Sequence, residues 1–119
     1  MNIERFEDIK AWQKAREIAQ TVYEIQCKTP YGIDTGYKDQ IQRSAVSTMS
    51  NIAEGFEYRN DKQFKRYLII ARGSIGEVRS LLYIGLDLGY IAKDGFKQLV
   101  EKSVEISKMI TGLIRSLGD

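Results

Sequence analysis

The chain reads as an all-α protein, an antiparallel up-down-up-down four-helix bundle. Three observations predict it. Apolar residues recur at spacings of three and four along four separate stretches. Only one proline, Pro30, occurs in 119 residues, so little interrupts a helix: an interior proline deletes a backbone donor and clashes with the preceding turn. No stretch alternates polar and apolar residues with period two over a useful length, so strands are not expected.

The first helix is expected at about 7–28. Ala11, Ala15, Ile18, Val22 and Ile25 form its apolar stripe, and Trp12, Ala19 and Tyr23 widen it. Pro30 and Gly32 lie just beyond, where helices commonly stop. The second, about 36–57, follows Thr35 as N-cap and buries Ile41, Ala45, Met49, Ile52 and Phe56. The third, about 61–88, follows Asn60, with Gln63 three residues on as in a capping box. Phe64, Leu68, Ala71, Ile75, Val78 and Leu82 make its core row. Tyr67, Ile70, Leu81, Ile84 and Leu88 make a second row beside it. Gly89 stands where a C′ residue is needed. The fourth, about 95–117, follows Asp94 and carries Phe96, Leu99, Ser103, Ile106, Ile110, Leu113 and Leu117 on one side. Connections this short force neighbouring helices antiparallel, and spacings near 3.5 residues suit crossing angles of about 20°.

Residues 1–119 fit a single domain. With 43% hydrophobic and 29% charged residues, the chain can bury a core without disulfides, and intrinsic disorder is excluded. Cys27 is the only cysteine, so no internal disulfide forms. Residues 1–10 hold five charges and no apolar block, so no signal peptide is expected. No run approaches the roughly 18–20 apolar residues of a membrane span. A cytoplasmic protein with no membrane partner is the expectation by elimination.

Charge is unevenly spread although the net is +2. Residues 58–86 hold six bases and two acids; residues 30–57 hold two bases and four acids. Lys65, Arg72 and Arg79 stand seven residues apart, on a line that drifts only about 20° per heptad. Arg59, Lys62 and Arg66 crowd its N-terminal end, and Tyr58 and Tyr83 flank it. Aligned cations with nearby aromatics suit a nucleic-acid backbone and its bases, which makes Lys62, Lys65, Arg66, Arg72 and Arg79 the candidate contact set. The other reading is a solvated or protein-binding face, its cations paired across a subunit boundary with acids such as Asp39, Glu54 and Glu57.

On the second helix Gln40, Ser44, Ser47, Asn51 and Glu54 share one face. They read either as a ligand or metal row or as small polar residues packed against a neighbouring helix or second subunit. Di-metal carboxylate bundles draw histidines from Glu-x-x-His motifs, and this chain has no histidine. Packing is therefore the expected role of Ser44, Ser47, Asn51 and Glu54, with no metal and no cofactor. Glu54 and Glu77 are each expected to meet an arginine such as Arg43, Arg72 or Arg79. Gly73 and Gly76 fall inside a periodic helix, which excludes a phosphate-cradling loop. Their cost of roughly 0.5–1 kcal/mol each implies a tight helix crossing, with Trp12 and the tyrosines as fillers. Cys27 lies near a helix C-terminus, where the dipole disfavours a thiolate, and no histidine exists to activate any nucleophile. No catalytic residue, no small-molecule substrate and no enzyme activity are expected.

Four runs of residues carry a family resemblance: Phe6 to Ala15, Gln42 to Gly55, Ala71 to Arg79, and Leu86 to Ile91. The Asn51-Ile52-Ala53-Glu54-Gly55 run with Gly73-Ser74-Ile75-Gly76-Glu77 is the most specific part. Together they resemble the four-helix-bundle proteins encoded in intervening sequences of bacterial 23S ribosomal RNA genes. The resemblance spans essentially the whole chain. It implies assembly as a ring-shaped homopentamer. It also implies kinship with the accessory protein of diversity-generating retroelements, a basic pentameric barrel that binds nucleic acid and its reverse transcriptase. With the basic line of Lys65, Arg72 and Arg79 on the third helix, the expected function is an oligomeric accessory or scaffold that contacts RNA or a nucleic-acid enzyme. The alternative is a protein–protein interaction module without a nucleic-acid role.

Overall fold

The computed structural model describes residues 2–25 and 34–118. Four α-helices carry the fold: α1 (Lys10–Ile25), α2 (Thr35–Glu57), α3 (Asp61–Asp87) and α4 (Lys93–Ser116). No strand occurs among the described residues. Cys27, Pro30, Gly32 and the expected end of the first helix at 28 lie outside them.

Each helix has a local cause. Asn60 caps α3 by accepting the Gln63 backbone N–H at 3.0 Å. At the far end Tyr90 N donates to Gly85 O at 2.8 Å and Gly89 N to Leu86 O at 3.1 Å. These are the paired bonds of a Schellman stop, with Gly89 at φ 76° supplying the left-handed residue. Three starts differ from expectation. Asp34, not Thr35, caps α2, because its carboxylate reaches Tyr37 N at 3.0 Å. Ala92 precedes α4, which leaves Asp94 in the first turn, where a carboxylate still suits the helix dipole. Residues 6–8 form a single 3-10 turn and Ile9 is extended and buried, so α1 begins at Lys10.

Cross-helix contacts set the direction of every neighbour. Gln40 meets Glu77 while Ser47 meets Ser74, so α2 and α3 are antiparallel. Lys65 meets Gly118 while Arg72 meets Thr111, so α3 and α4 are too. Lys14 meets Glu105 while Glu17 meets Lys102, which does the same for α1 and α4. The helices pack side by side into a bundle 47 Å long and about 20 Å across. Its core is the expected set of stripes, with Ile18, Ile52, Leu68, Ile75, Ile106 and Ile110 each at most 1% exposed. Ser44, Thr48 and Ser103 are buried polar exceptions. Their hydroxyls donate to Gln40 O, Ser44 O and Val100 O within their own helices, which removes most of the desolvation cost.

Two expectations about packing are corrected. No described helix crosses at Gly73 or Gly76: among the described residues a Cβ at either would meet nothing within 4 Å. Both lie on the side of α3 turned away from the core row. The close approaches are at Gly55 and Gly85, which share the core's phase. A Cβ at Gly55 would stand 2.5 Å from Tyr67 Cβ, and one at Gly85 would collide with the Tyr37 hydroxyl. Tyrosines are thus the fillers, at other glycines. Trp12 packs instead against Phe6, edge to face at 5.1 Å, with the Arg16 guanidinium over its ring at 5.8 Å. Of the second α3 row, Ile70, Ile84 and Leu88 are exposed.

Candidate nucleic-acid interface

Helix α3 separates two unlike seams. Along α2, the polar stripe meets partners inside the chain. Gln40 Nε2 donates to Glu77 Oε2 at 3.1 Å, and the Ser47 and Ser74 hydroxyls are 2.9 Å apart. Asn51 donates back to Ser47 O and Oγ. Glu77 therefore takes an amide donor, not an arginine, and no arginine pairs with the exposed Glu54 among the described residues. The Tyr37 hydroxyl donates to Leu81 O at 2.7 Å; burial, then the nearby Tyr90, push its pKa up to about 12. Among the described residues no three His, Cys, Asp or Glu side chains converge as a metal-ligand group.

Along α4 the contacts are different. Lys65 Nζ donates to Gly118 O at 2.7 Å and Arg72 Nη1 to Thr111 Oγ1 at 3.2 Å. Both acceptors are neutral, and neither cation has an acidic partner among the described residues. Next to them opens a groove of about 440 Å³, lined by Arg79, Lys108 and Arg115 with the polar Ser107 and Thr111. No lining residue carries a carboxylate. Arg79, Lys108 and Arg115 have no acidic partner among the described residues.

The five cations singled out in the sequence do not stay together. Lys65, Arg72 and Arg79 line the α4 side. At about 100° per residue, Lys62 and Arg66 sit roughly 60° and 100° around the helix from Lys65, on its outer face. Both are exposed. Lys108 and Arg115 were missed. They stand seven residues apart on α4, the same signal that marked the α3 row, but the balanced charge of residues 87–119 hid them. The flanking aromatics already have ring partners. Tyr58 stacks on Tyr67 at 5.3 Å, and Tyr83 meets Phe96 edge-on at 5.0 Å.

A cavity of about 710 Å³ lies at the end of the bundle beside Ile25, Tyr90, Ile91 and Leu99. Among the described residues that line it, Lys102 is the one charged side chain, held by Glu17 at 2.9 Å. No helix among the described residues is long and apolar enough to cross a membrane.

A four-helix bundle with an uncancelled cationic groove beside its longest helix is the class that fold and site define. The chain belongs to the 23S rRNA-intervening sequence protein family, whose model matches residues 7–112. A solved structure from Bacteroides thetaiotaomicron, described as a protein of unknown function from the S23 ribosomal protein family, has the same fold. It superposes with a TM-score of 0.78 at 23% identity, over 88% of this chain and 98% of that one. No curated protein matches the chain.

Proposed function

We propose that the protein is a non-enzymatic, oligomeric accessory or scaffold of the cytoplasm that holds RNA against the cationic α3–α4 side of each subunit. The observation that carries this reading is the groove of Arg79, Lys108 and Arg115, which has cations from two helices and no acid in its lining. Phosphates supply the missing negative charge, and guanidinium groups match their geometry.

Assembly rests on a second observation, the outer face of α3. Ile69, Ile70, Tyr83, Ile84 and Leu88 are each 45–57% exposed there, and Gly73 and Gly76 leave room for a close helix. Exposed apolar residues beside open glycines suit a subunit contact. Kinship suggests five subunits in a ring. Light scattering with and without bulk RNA, at low and raised salt, tests both parts. The expected result is an oligomer that gains RNA mass at low salt and loses it as salt rises, because phosphate contacts release counterions. An oligomer indifferent to RNA at low salt would leave the protein–protein module as the better reading. A monomer would overturn the assembly.

A further inference from the structure

The two hydrogen bonds between α3 and α4 fix one register along the groove. Seven steps along α3, from Lys65 to Arg72, match seven steps along the facing segment, from Gly118 back to Thr111. In that register Arg115 lies level with Leu68 and Lys108 with Ile75. The cations then follow one another along the α3–α4 side as Lys65, Arg115, Arg72, Lys108 and Arg79, alternating between the two helices; Arg79, Lys108 and Arg115 line the groove itself, and Lys65 and Arg72 stand beside it on Gly118 O and Thr111 Oγ1. Successive steps are three or four residues, about 5 Å, and the whole row spans about 21 Å.

We infer that this zigzag of five cations is a track for the sugar–phosphate backbone of one nucleic-acid strand, read without its bases. The inference rests on the RNA reading above and narrows it. A row whose charges alternate between rims at about 5 Å meets one line of phosphates from both sides. The groove between the two helices carries one row of cations on each rim, which suits a single backbone lying over it rather than two strands. No aromatic side chain lines the groove, so it offers no stacking platform. Tyr83, the aromatic nearest the α3 row, is taken up by Phe96. The Ser107 and Thr111 hydroxyls add neutral contacts suited to phosphate oxygens. Sequence-tolerant binding to single strands follows.

The test uses the full chain and fluorescence anisotropy with labelled oligouridylate and oligoadenylate of roughly a dozen nucleotides. An RNA hairpin of equal phosphate count is the competitor. The expected affinities for the two single strands agree within about threefold, and the hairpin competes more weakly. The log–log salt slope is about −3.5 per bound track, from five phosphates at about 0.7 each. The paired reversal Lys108→Glu and Arg115→Glu is expected to lower affinity at least tenfold. The milder Lys108→Gln and Arg115→Gln pair flattens the slope by about 1.4. Lys10→Glu with Lys93→Glu, equal in charge but outside the groove's lining, is expected to stay within about twofold, and melting curves report that each variant is folded. Binding that survives the α4 reversals, or a hairpin that binds more tightly, overturns the track but spares the RNA reading. Absence of any binding at low salt overturns both.

Discussion

Against α2, helix α3 brings Tyr67, Ser74 and Glu77; against α4 it brings Lys65, Arg72 and Arg79. The first set is matched group for group. Serine meets serine, glutamate meets an amide, and tyrosine fills the space beside Gly55. The second set is oriented by a carbonyl and a hydroxyl that leave its charge intact. The difference separates two uses of polar side chains. Polar groups whose partners lie within the chain help to define the fold. Cations aligned by neutral oxygens hold a geometry while still lacking a counter-charge, which is the condition for recruiting an anion.

The largest effect should come from closing the gap at Gly55. A Cβ there stands 2.5 Å from Tyr67 Cβ, an atom fixed to the α3 backbone that cannot swing aside. Gly55→Ala is expected to cost about 1–3 kcal/mol despite the gain of up to about 1 kcal/mol in helix propensity. Urea unfolding should show a lower midpoint at an unchanged slope. A neutral result would mean that the α2–α3 seam is not close-packed.

Next is Tyr37→Phe, which removes the bond to Leu81 O and should cost about 1 kcal/mol at neutral pH. The sign of its pH dependence follows from linkage. The folded phenol titrates at about 12, above its ordinary value of 10.0. Unfolded chains therefore lose this proton first as pH rises, so the contribution is complete below about pH 10 and is lost towards about pH 12. Unfolding midpoints measured from pH 9 to 12 should fall, and should fall less steeply in the Phe variant.

Much of this contrast was legible in the sequence, but not all of it. The α3 core row from Phe64 to Leu82 is buried throughout, because strict spacing on a long helix admits one solution. Asn60 and Gly89 were readable because their chemistry acts within a few residues. The glycines were misassigned because a glycine signals close approach without naming its face. The phase was available: Gly55 lies three residues from Ile52 and Gly85 three from Leu82, whereas Gly73 lies two from both Ala71 and Ile75. The α4 cations were hidden by counting charges along the chain rather than around the helix. Glu105 cancels Lys108 in the sequence, yet it faces α1 and pairs with Lys14 at 3.3 Å.

A smaller effect, of opposite sign, belongs to the outer face. Gly73→Ala and Gly76→Ala meet open space in the single subunit, so each should stabilise it by about 0.5–1 kcal/mol. If a second subunit packs there, the same changes should weaken assembly, seen as a lower mass in solution at a given concentration. A gain in stability with unchanged mass would move the subunit contact elsewhere.

The smallest expected change lies in the groove, and it sharpens the contrast between the two seams most directly. Arg79→Gln and Lys108→Gln remove cations that have no acidic partner among the described residues. If their charge is held for an external anion, removing it costs the isolated fold almost nothing, within about ±0.5 kcal/mol. At low ionic strength the variants should even gain slightly, because like charges flanking one groove repel. Raised salt should erase that gain as the Debye length shortens to about 10 Å at 0.1 M. Thermal unfolding at two salt concentrations measures both. A loss of more than about 1 kcal/mol would mean that these cations stabilise the bundle itself. The groove would then be another satisfied seam like the one along α2, and its charge would not be free for RNA.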